Sequence, residues 1–387
     1  MSEQVRAAVM RAPGRIELQT FPLPEPGPGA VLIKMEMSGI CGTDKHTFLG
    51  YAGQYGGTEH ARTLPFPIIP GHENVGRIAA IGPMDGELAD YNGQALHLGD
   101  RVVTGANLTC GHCYYCRHGF DYYFCANLED YGNSLSAARP PHLFGGWAEY
   151  LYALPGTYLL KVPEDLPPEI AVLTEVMSVT IGLDKAKQFA ALAGEGFRFG
   201  DTVVVQGVGP LGLCHVMKAR MLGAGNVVAI DKSAYRLKLA LELGADYALD
   251  LTATDRRQRL EAIHALTGGR GADLVAECAG VPEAVDEGLE LLRPGGFYIE
   301  AGNFSDMGPT TIKPHLICSK SLHILGVGGE AITAYGPSLE AFRRYRRRYP
   351  LHKVVSHRYP VEQAEAAIRR SMADDSMKVV IASAEYL

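Results

Sequence analysis

The order of apolar and polar residues along the chain changes character near residue 169. Before that point, apolar side chains alternate with polar ones in short runs; in residues 30–38 (AVLIKMEMS), Lys34 and Glu36 separate the apolar positions. A period of two is typical of a half-buried β-strand. Frequent proline and glycine, as in residues 21–29 (FPLPEPGPG), indicate loops between such strands. This first texture predicts a mostly antiparallel, β-rich region.

From residue 170 onward, strand-like runs alternate with helix-like runs. The strand-like runs are TVVVQ, NVVAID, DYALD, ADLVAEC, GFYIEAG and LHILGV, and helix-like runs at residues 211–222, 234–243, 253–266 and 283–292 separate the first five. Strands joined by helical crossovers are typical of a doubly wound parallel sheet. After Gly328 the pattern is mixed again, and the chain closes with a strand-like run, KVVIAS. The sequence thus predicts an α/β fold.

Composition and charge exclude several classes of protein. The 387 residues are 47% hydrophobic and 20% charged, which excludes a globally disordered chain. The net charge of −7 argues against a nucleic-acid binder. The most apolar stretch, residues 202–230, is interrupted by glycines, a proline, Lys218 and Arg220, so no membrane span is predicted. The N-terminal residues show no secretory leader pattern, and we expect a cytoplasmic protein without nucleic-acid or membrane partners.

A basic run, RRYRRR at residues 343–348, is a feature that could bind an anionic polymer. It lies in a segment with a helical pattern. We interpret it as a solvated helix face, because runs of charge on helices usually face water.

A glycine-rich turn is the best supported single motif. It directly follows the β-branched run at residues 203–206, and an apolar helical pattern follows it, which is the context that a dinucleotide-binding turn requires. Gly207 would allow the tight turn, Gly209 the approach of a pyrophosphate, and Gly212 the packing of the helix on the strand. The helix N-terminus would add unpaired N–H groups for the phosphates. The predicted cofactor-binding residues of this turn are Gly207, Val208, Gly209, Pro210, Leu211 and Gly212.

Asp231 ends the second strand-like run of this region. A carboxylate there would accept hydrogen bonds from the adenosine ribose and repel a 2′-phosphate, which predicts NAD rather than NADP as the cofactor. Lys232 and Arg236 are also predicted to contact the cofactor. They leave NADP open, because cations could hold the extra phosphate.

Four of the eight cysteines fall within sixteen residues, spaced as C-x2-C-x2-C and a further cysteine after eight residues. In a chain without a secretory leader pattern, clustered thiols are more typical of metal ligands than of disulfides. Thiolates at this spacing can enclose one tetrahedral Zn²⁺ ion. We predict a structural zinc site at Cys110, Cys113, Cys116 and Cys125, with His112 or His118 as alternatives to Cys125.

A second set of donor atoms is spread over three short motifs. Residues 41–46 (CGTDKH), residues 71–73 (GHE) and Glu175 together offer sulfur, nitrogen and oxygen atoms. A mixed donor set suits a Zn²⁺ ion that keeps one position open for a substrate oxygen. These motifs therefore predict a catalytic centre.

The motifs taken together resemble the zinc-dependent alcohol dehydrogenases of the medium-chain dehydrogenase/reductase family. They are CGTDKH, GHENVG, GDRV, CGHCYYC, GGWAEY and GVGPLG, and they occur in family order over nearly the whole chain. The acidic residue at position 175 and the T-D-x-H pattern resemble the sorbitol and threonine dehydrogenase branch. The resemblance implies a GroES-like, β-rich catalytic domain at residues 1–168, a Rossmann cofactor domain at residues 169–327 and a return to the catalytic domain at residues 328–387.

The resemblance also implies roles for individual residues. Cys41, His72 and Glu175 would hold the catalytic zinc, and Glu73 would either bind it directly or contact its ligands. Lys378 loosely resembles a basic residue that meets the phosphates of the cofactor in this family.

The implied mechanism is zinc-assisted hydride transfer. Zinc would act as a Lewis acid and lower the pKa of the substrate hydroxyl. Thr43 would accept the hydroxyl proton and pass it, by way of the cofactor ribose, to His46, which would release it to solvent. Glu73 completes the set of predicted catalytic residues.

We therefore predict an oxidoreductase that transfers a hydride from a secondary alcohol or polyol to NAD, with two Zn²⁺ ions per chain, and that forms a homodimer or homotetramer. Two alternatives stay open: an NAD(P)H-dependent reductase of ketones or aldehydes, and a non-catalytic dinucleotide-binding protein of the same fold. Residues 50–70 and 129–143 are longer than is usual in the family, and we expect them to rim the substrate cleft.

Overall fold

The computed structural model describes residues 4–51, 53–54, 62–191 and 195–387. The strands within these residues are β1 Gln4–Ala12, β2 Arg15–Pro22, β3 Val31–Gly39, β4 Gly53–Gln54, β5 Arg62–Thr63, β6 Glu73–Ile81, β7 Arg101–Thr104, β8 Asn107–Leu108, β9 Glu129–Asp130, β10 Tyr150–Ala153, β11 Leu159–Lys161, β12 Thr202–Gln206, β13 Asn226–Asp231, β14 Tyr247–Asp250, β15 Ala272–Glu277, β16 Leu292–Glu300, β17 His323–Gly326, β18 Val355–Tyr359 and β19 Lys378–Ala382. Part of the long segment 50–70, expected to rim the substrate cleft, lies outside the described residues.

The α-helices are α1 Gly42–Leu49, α2 Tyr114–Arg117, α3 Pro168–Ala171, α4 Thr174–Ser178, α5 Ile181–Gln188, α6 Pro210–Met221, α7 Ala234–Glu242, α8 Arg256–Thr267, α9 Glu283–Leu291, α10 Pro314–Ser319, α11 Tyr335–Tyr345 and α12 Ala364–Ser371. Single turns of 3₁₀-helix lie at Tyr122–Phe124, Phe189–Ala191, Ile332–Ala334, Leu351–Lys353, Val361–Gln363 and Ala384–Tyr386. In the part of the chain that the structure describes, no helix is long and apolar enough to cross a membrane.

The chain divides into two compact units. The first comprises Met1–Ser178, Ala331–Arg347 and Val354–Leu387, and the second comprises Val179–Glu330 and Arg348–Lys353. The boundaries that the sequence predicts, after residues 168 and 327, lie ten and three residues before these divisions. Helix α4 therefore belongs to the first unit. As a statement about independently folding domains, the predicted division stays a prediction.

The first unit is β-rich, as its alternating pattern predicted. Its main sheet has the strand order β11-β7-β6-β3-β19-β18, and β10 also pairs with β3. Strand β3 pairs antiparallel with β6, β10 and β19, so the last strand of the chain hydrogen-bonds to one near its beginning. The core of this unit is one cluster of buried residues that includes Ile33, Trp147 and Val379. A strand such as β3 is thus anchored on both sides, which fixes the position of the residues that follow it.

The second unit contains the doubly wound parallel sheet that the sequence predicted. Its strand order is β14-β13-β12-β15-β16-β17, and every neighbouring pair is parallel. All five residues of β12 are buried, which is why this strand reads as a continuous β-branched run. The strand order reverses direction between β12 and β15. In sheets of this kind, ligands bind outside the carboxyl ends of the strands at that reversal.

Candidate active site and metal centres

Helix α1 positions the residues of the CGTDKH motif. Its first turn is capped from within, because Asp44 Oδ2 accepts a hydrogen bond from the backbone N–H of Cys41 at 2.8 Å. The helix ends at Gly50, which adopts the left-handed conformation with φ 104°. Cys41 therefore lies just beyond the end of β3, with the short helix behind it.

A tight turn at Gly71 brings the second motif beside the first. Gly71 has φ +99°, and a Cβ atom there would lie 2.5 Å from both Ser38 Oγ and Trp147 Cδ1, so only glycine fits. Glu73 then begins β6 and pairs with Gly39 across the sheet. The register of β3 and β6 thus places the donor atoms of two distant motifs at one end of the same sheet.

The structure brings Cys41, His72 and Glu73 together. One ligand atom from each residue lies within 4.8 Å of the other two. His72 and Glu73 are buried, and Cys41 is half-buried. Thr43 belongs to the same site, since its Oγ1 is 3.8 Å from the sulfur of Cys41.

Glu175 is not a member of this cluster. Its side chain lies on α4, is 7% exposed, and acts electrostatically on both His72 and Lys378. Glu73, which the sequence also offered as a ligand, is the carboxylate with an oxygen within 4.8 Å of donor atoms of both Cys41 and His72, and the ligand role of Glu175 stays a prediction.

The cluster has the chemistry of a cation site. His72 Nδ1, Glu73 Oε2 and Asp44 Oδ1 are buried and have no hydrogen-bond partner in the described structure. Burial disfavours the charged form of His72, but the negative charges of Cys41, Asp44 and Glu175 outweigh burial and raise the pKa of His72 well above its usual value. Unpaired buried acceptors beside a surplus of negative charge cost free energy unless a cation neutralises them. The donor set therefore fits Zn²⁺.

The side chain of Lys378 contacts the carboxylate of Glu73 in this site. Its Nζ donates to Glu73 Oε1 at 2.5 Å and to the carbonyl oxygen of Ile40 at 3.1 Å, and the residue is 2% exposed. Burial lowers the pKa of Lys378, but the charges of Glu73, Cys41 and Glu175 raise it by more than burial lowers it. The net shift is upward, so the ammonium stays charged. Two of the three N–H groups of its ammonium thus donate to buried acceptors, and a contact of Lys378 with the cofactor phosphates stays a prediction.

His46 lies on α1, half-buried, with its ring in edge-to-face contact with the ring of Tyr51 at 6.3 Å between centroids. Burial and the charge of Lys45 both lower the pKa of His46 below its usual value. The imidazole is therefore neutral at pH 7 and able to accept a proton.

The four clustered cysteines form a second donor set. Their sulfur atoms all lie within 4.8 Å of one another. The sulfurs of Cys113 and Cys116 are 3.5 Å apart, as are those of Cys110 and Cys125. A tetrahedral ion with bonds of about 2.3 Å needs sulfurs about 3.8 Å apart, so the spacing fits one Zn²⁺.

Neither histidine alternative replaces the fourth cysteine. His118 places its Nδ1 2.7 Å from the carbonyl oxygen of Tyr114 and stacks on the ring of that residue. His112 is not part of the cluster. Hydrogen bonds from Asn127 and nearby backbone N–H groups lower the pKa of Cys110 to about 5 and favour its thiolate, whereas burial raises the pKa values of Cys116 and Cys125.

The glycine turn of the second unit has the shape that a dinucleotide needs. A Cβ atom on Gly207 would lie 2.6 Å from the backbone nitrogen of Ala279, and one on Gly212 would collide with the carbonyl oxygen of Gly207. A Cβ on Gly209 would meet nothing within 4 Å, so the space above the turn is open. Gly209 caps α6 without a side-chain hydrogen bond, which leaves the helix N-terminus to a ligand.

Asp231 supports this turn from the end of β13. Its Oδ2 accepts from the backbone N–H of Val208 at 2.9 Å, and its Oδ1 accepts from the N–H of Ser233 at 2.9 Å. Lys232 is exposed and Arg236 is half-buried. These contacts fix the carboxylate beside the glycine turn, where the sequence placed it.

Known proteins match this chain over most of its length. The family model described as "Alcohol dehydrogenase GroES-like domain" matches residues 27–164, and "Zinc-binding dehydrogenase" matches residues 210–342. The 5-exo-hydroxycamphor dehydrogenase of Pseudomonas putida is 31% identical over 98% of this chain and 99% of its own. The L-threonine 3-dehydrogenase of Pyrococcus horikoshii is 30% identical over 98% of this chain and 99% of its own.

A solved structure agrees with these relatives. An alcohol dehydrogenase from Thermotoga maritima superimposes with a TM-score of 0.87, at 32% identity, over 98% of this chain and all of its own. The chain belongs to the zinc-dependent medium-chain dehydrogenase/reductase family. The resemblance seen in the motifs is thereby confirmed.

The protein is thus a zinc-dependent dehydrogenase, an oxidoreductase that acts on the CH–OH group of small alcohols. Zinc and a nicotinamide dinucleotide are its cofactors, as the sequence predicted. The predicted fold class, a GroES-like region with a Rossmann sheet, is confirmed as well.

Two residues of this dehydrogenase have contacts that the sequence motifs did not predict. The carboxylate of Asp44 caps α1 and interacts electrostatically with His72. Asp44 stands at the position of the acidic residue in a capping box, S/T-x-x-E/Q, but Cys41 takes the place of the serine or threonine, so the sequence signal is weak. Glu277 is a fully buried carboxyl at the end of β15. A single acid at the end of an apolar run does not indicate from the sequence that its side chain is buried.

Proposed function

We propose that the dehydrogenase oxidises a secondary alcohol or polyol with NAD at a site built around Cys41, His72 and Glu73. The observation that supports this most strongly is the buried set of sulfur, nitrogen and oxygen donors, two of which have unpartnered atoms. A structural zinc site is closed by four protein ligands. A catalytic zinc site has three protein ligands and keeps the fourth position open for substrate.

The ligands of the catalytic ion are Cys41, His72 and one carboxylate. The proximity of Glu73 to the other two donors favours Glu73, and Glu175 provides the next carboxylate. When bound, Zn²⁺ supplies a Lewis acid that lowers the pKa of a hydroxyl group. Glu73→Gln and Glu175→Gln, each assayed for bound zinc, separate the two roles, because the variant of the true ligand loses metal and the other keeps it.

The chain's own residues handle the proton. The hydroxyl of Thr43 lies beside the sulfur of Cys41 and is placed to accept a hydrogen bond from the substrate hydroxyl. His46, neutral at pH 7, is the acceptor that passes the proton to solvent. Lys378 forms a buried ion pair with Glu73, so a positive charge lies next to this carboxylate.

Asp231, Lys232, Arg236 and the glycine turn bind the cofactor in this proposal, and Asp231 favours NAD. Its carboxylate is held rigidly by two backbone N–H groups. A fixed negative charge next to the adenosine ribose repels a 2′-phosphate. Asp231→Ala should raise kcat/KM for NADP relative to NAD by about tenfold, and a parent enzyme that already prefers NADP would contradict the assignment.

The experiment that tests the proposal is a substrate panel followed by the absorbance of the reduced nicotinamide. Cyclic and open-chain polyols, amino alcohols and bulky apolar secondary alcohols are assayed with NAD and NADP in parallel. We expect turnover with at least one secondary alcohol, and loss of turnover when zinc is removed. Turnover of primary alcohols alone would overturn the substrate class.

We also infer that the enzyme acts in the cytoplasm as a homodimer or homotetramer. The eight cysteines are free, as is usual for a reducing compartment. Strand β17 lies at the edge of the parallel sheet, and Ile324 on it is 47% exposed, although edge strands are normally covered or protected by charge. Light scattering after size-exclusion chromatography tests the oligomer, and a monomer would contradict it.

A further inference from the structure

Two carboxyl groups lie side by side in the second unit, and the proposed function uses neither. Glu277 ends β15 and Glu300 ends β16, and the two residues are partners in the parallel register of these strands. Glu277 is fully buried. Like charges in one buried place repel each other strongly, so such a pair calls for a physical explanation.

Glu277 shapes the turn that follows it. Its Oε1 accepts hydrogen bonds from the backbone N–H groups of Ala279 at 2.7 Å and of Gly280 at 2.9 Å. The same turn packs against the glycine motif, because a Cβ on Gly207 would lie 2.6 Å from Ala279. The carboxyl therefore fixes the backbone on the far side of the dinucleotide turn.

Asn303 joins the two acids. Its side-chain nitrogen donates to Glu277 Oε2 at 3.3 Å and to Glu300 Oε1 at 3.1 Å, and its backbone N–H donates to Glu300 Oε1 at 3.1 Å. The backbone of Gly302 closes over Glu277, since a Cβ there would collide with Oε2. The two carboxyl groups are therefore held at one place by contacts from both strands and from the loop after β16.

The charge of the pair depends on whether Glu277 carries a proton. Burial and the charge of Glu300 raise the pKa of Glu277 to about 8. Three titratable groups nearby are uncharged at neutral pH: burial raises the pKa values of Cys278 and Tyr298, and it lowers the pKa of His215, on α6 against Cys278, to about 4.

On the elements that pack against β16, Asp184 of α5 pairs with Lys218, and His323 of β17 pairs with Glu195. Strand β12 presents the uncharged side chain of Gln206. Between α8 and α9, Arg256 pairs with Asp286 and Glu290, and Arg259 pairs with Glu287. Arg257 pairs with Glu261 within α8, and Glu283 lies in the first turn of α9.

The position of the pair relates it to one half of the cofactor. In the proposed function, Asp231 at the end of β13 holds the adenosine ribose, and the glycine turn after β12 holds the pyrophosphate. A dinucleotide crosses the point where the strand order reverses, so its nicotinamide half extends over the carboxyl ends of β15 and β16. The oxidised ring carries a positive charge that the reduced ring lacks.

We propose that Glu277 and Glu300 act as positioning residues for the nicotinamide half of the cofactor, and that ionisation of the buried Glu277 carboxyl in alkaline solution favours the oxidised over the reduced dinucleotide. The inference rests on the proposed function, because that function places the cofactor. When the proton of Glu277 leaves to solvent, this buried site gains a negative charge. That charge attracts the pyridinium ring and has no equivalent effect on the neutral reduced ring.

The test is calorimetric titration of the zinc-loaded enzyme with NAD and with NADH from pH 6 to 9.5. In the parent enzyme we expect the ratio of the Kd for NADH to the Kd for NAD to rise about fivefold around pH 8. Glu277→Gln keeps an oxygen that accepts from the turn but cannot ionise, so its ratio should stay flat. The matched control is Glu261→Gln, an exposed acid on α8, which should keep the rise.

A second variant covers the case in which Glu277→Gln does not fold. Glu300→Gln removes the neighbouring charge, so the rise should move to lower pH. An unaltered rise in folded Glu277→Gln, or a flat ratio in the parent enzyme, would overturn the inference while leaving alcohol oxidation intact. A parent enzyme that binds neither dinucleotide would contradict the proposed function first, and the inference with it.

Discussion

The two donor clusters of the first unit differ in how they are built. The sulfur cluster comes from one local segment of sixteen residues, and three of its four cysteines are half-buried rather than buried. The mixed cluster of Cys41, His72 and Glu73 joins two segments through the register of β3 and β6, and two of its residues are buried. Four equivalent thiols form a closed metal site that contributes to the stability of the fold. A buried, unevenly charged site is costly to fold, and that cost is associated with reactivity.

The largest expected effect follows from His72→Ala. The variant should lose one of two zinc ions per chain, and kcat/KM should fall by at least about 10³-fold, equivalent to about 4 kcal/mol of transition-state stabilisation. Zinc analysis and steady-state kinetics check this. His112→Ala, a histidine outside both clusters, is the control and should change neither. A His72→Ala enzyme that keeps two zinc ions and full activity would contradict the assignment of the mixed cluster as the catalytic zinc site.

Cys116→Ser should act in the opposite way, on stability more than on chemistry. A structural zinc contributes its binding free energy to folding, so its loss should cost about 3 kcal/mol or more. For units of this size that corresponds to a Tm lower by about 6–12 °C. Calorimetry measures it, with Cys318→Ser, an exposed cysteine outside the cluster, as the control. A large loss of kcat at an unchanged Tm would show that the sulfur cluster serves catalysis.

The ion pair beside the mixed cluster has an effect of similar size but a different signature. Lys378→Met leaves the buried carboxylate of Glu73 without its countercharge, which should cost about 3 kcal/mol in the free energy of unfolding. Chemical denaturation of the metal-depleted enzyme measures this. The double variant Glu73→Gln/Lys378→Met should recover at least half of the loss. If the two single losses simply add, the pair does not stabilise the site.

The smallest effect concerns proton release. Because the pKa of His46 lies below its usual value, His46 stays neutral at pH 7, and alcohol oxidation should decline as acid protonates it. His46→Asn should lower kcat about tenfold at pH 7 and flatten the acid limb of the profile. Lys45→Gln removes a charge that lowers the pKa of His46, so the acid limb should move to higher pH. An unchanged profile in both variants would remove His46 from the proton route.

The two clusters were also unequally predictable. The spacing of the cysteines predicted the sulfur cluster, with only the fourth ligand left open, because ligands within one short segment lie close together in most folds. The mixed cluster was predicted as three scattered motifs, and the choice between Glu73 and Glu175 could not be made. That choice depends on the β3–β6 register and on the position of α4, which are long-range features. The contact between Lys378 and Glu73 was not predicted for the same reason, since nothing local to residue 378 reveals that its ammonium meets Glu73.

The sequence by itself determined the class of the fold, the glycine turn and the family. Alternation of apolar residues and the fixed spacing of glycines and cysteines are local, so they survive as patterns along the chain. Only the tertiary structure placed Glu73 close to both Cys41 and His72, paired Lys378 with Glu73 and brought Glu277 beside Glu300. Those outcomes depend on burial and on strand register, because a charge acquires its partner and its pKa only when packing has removed it from water.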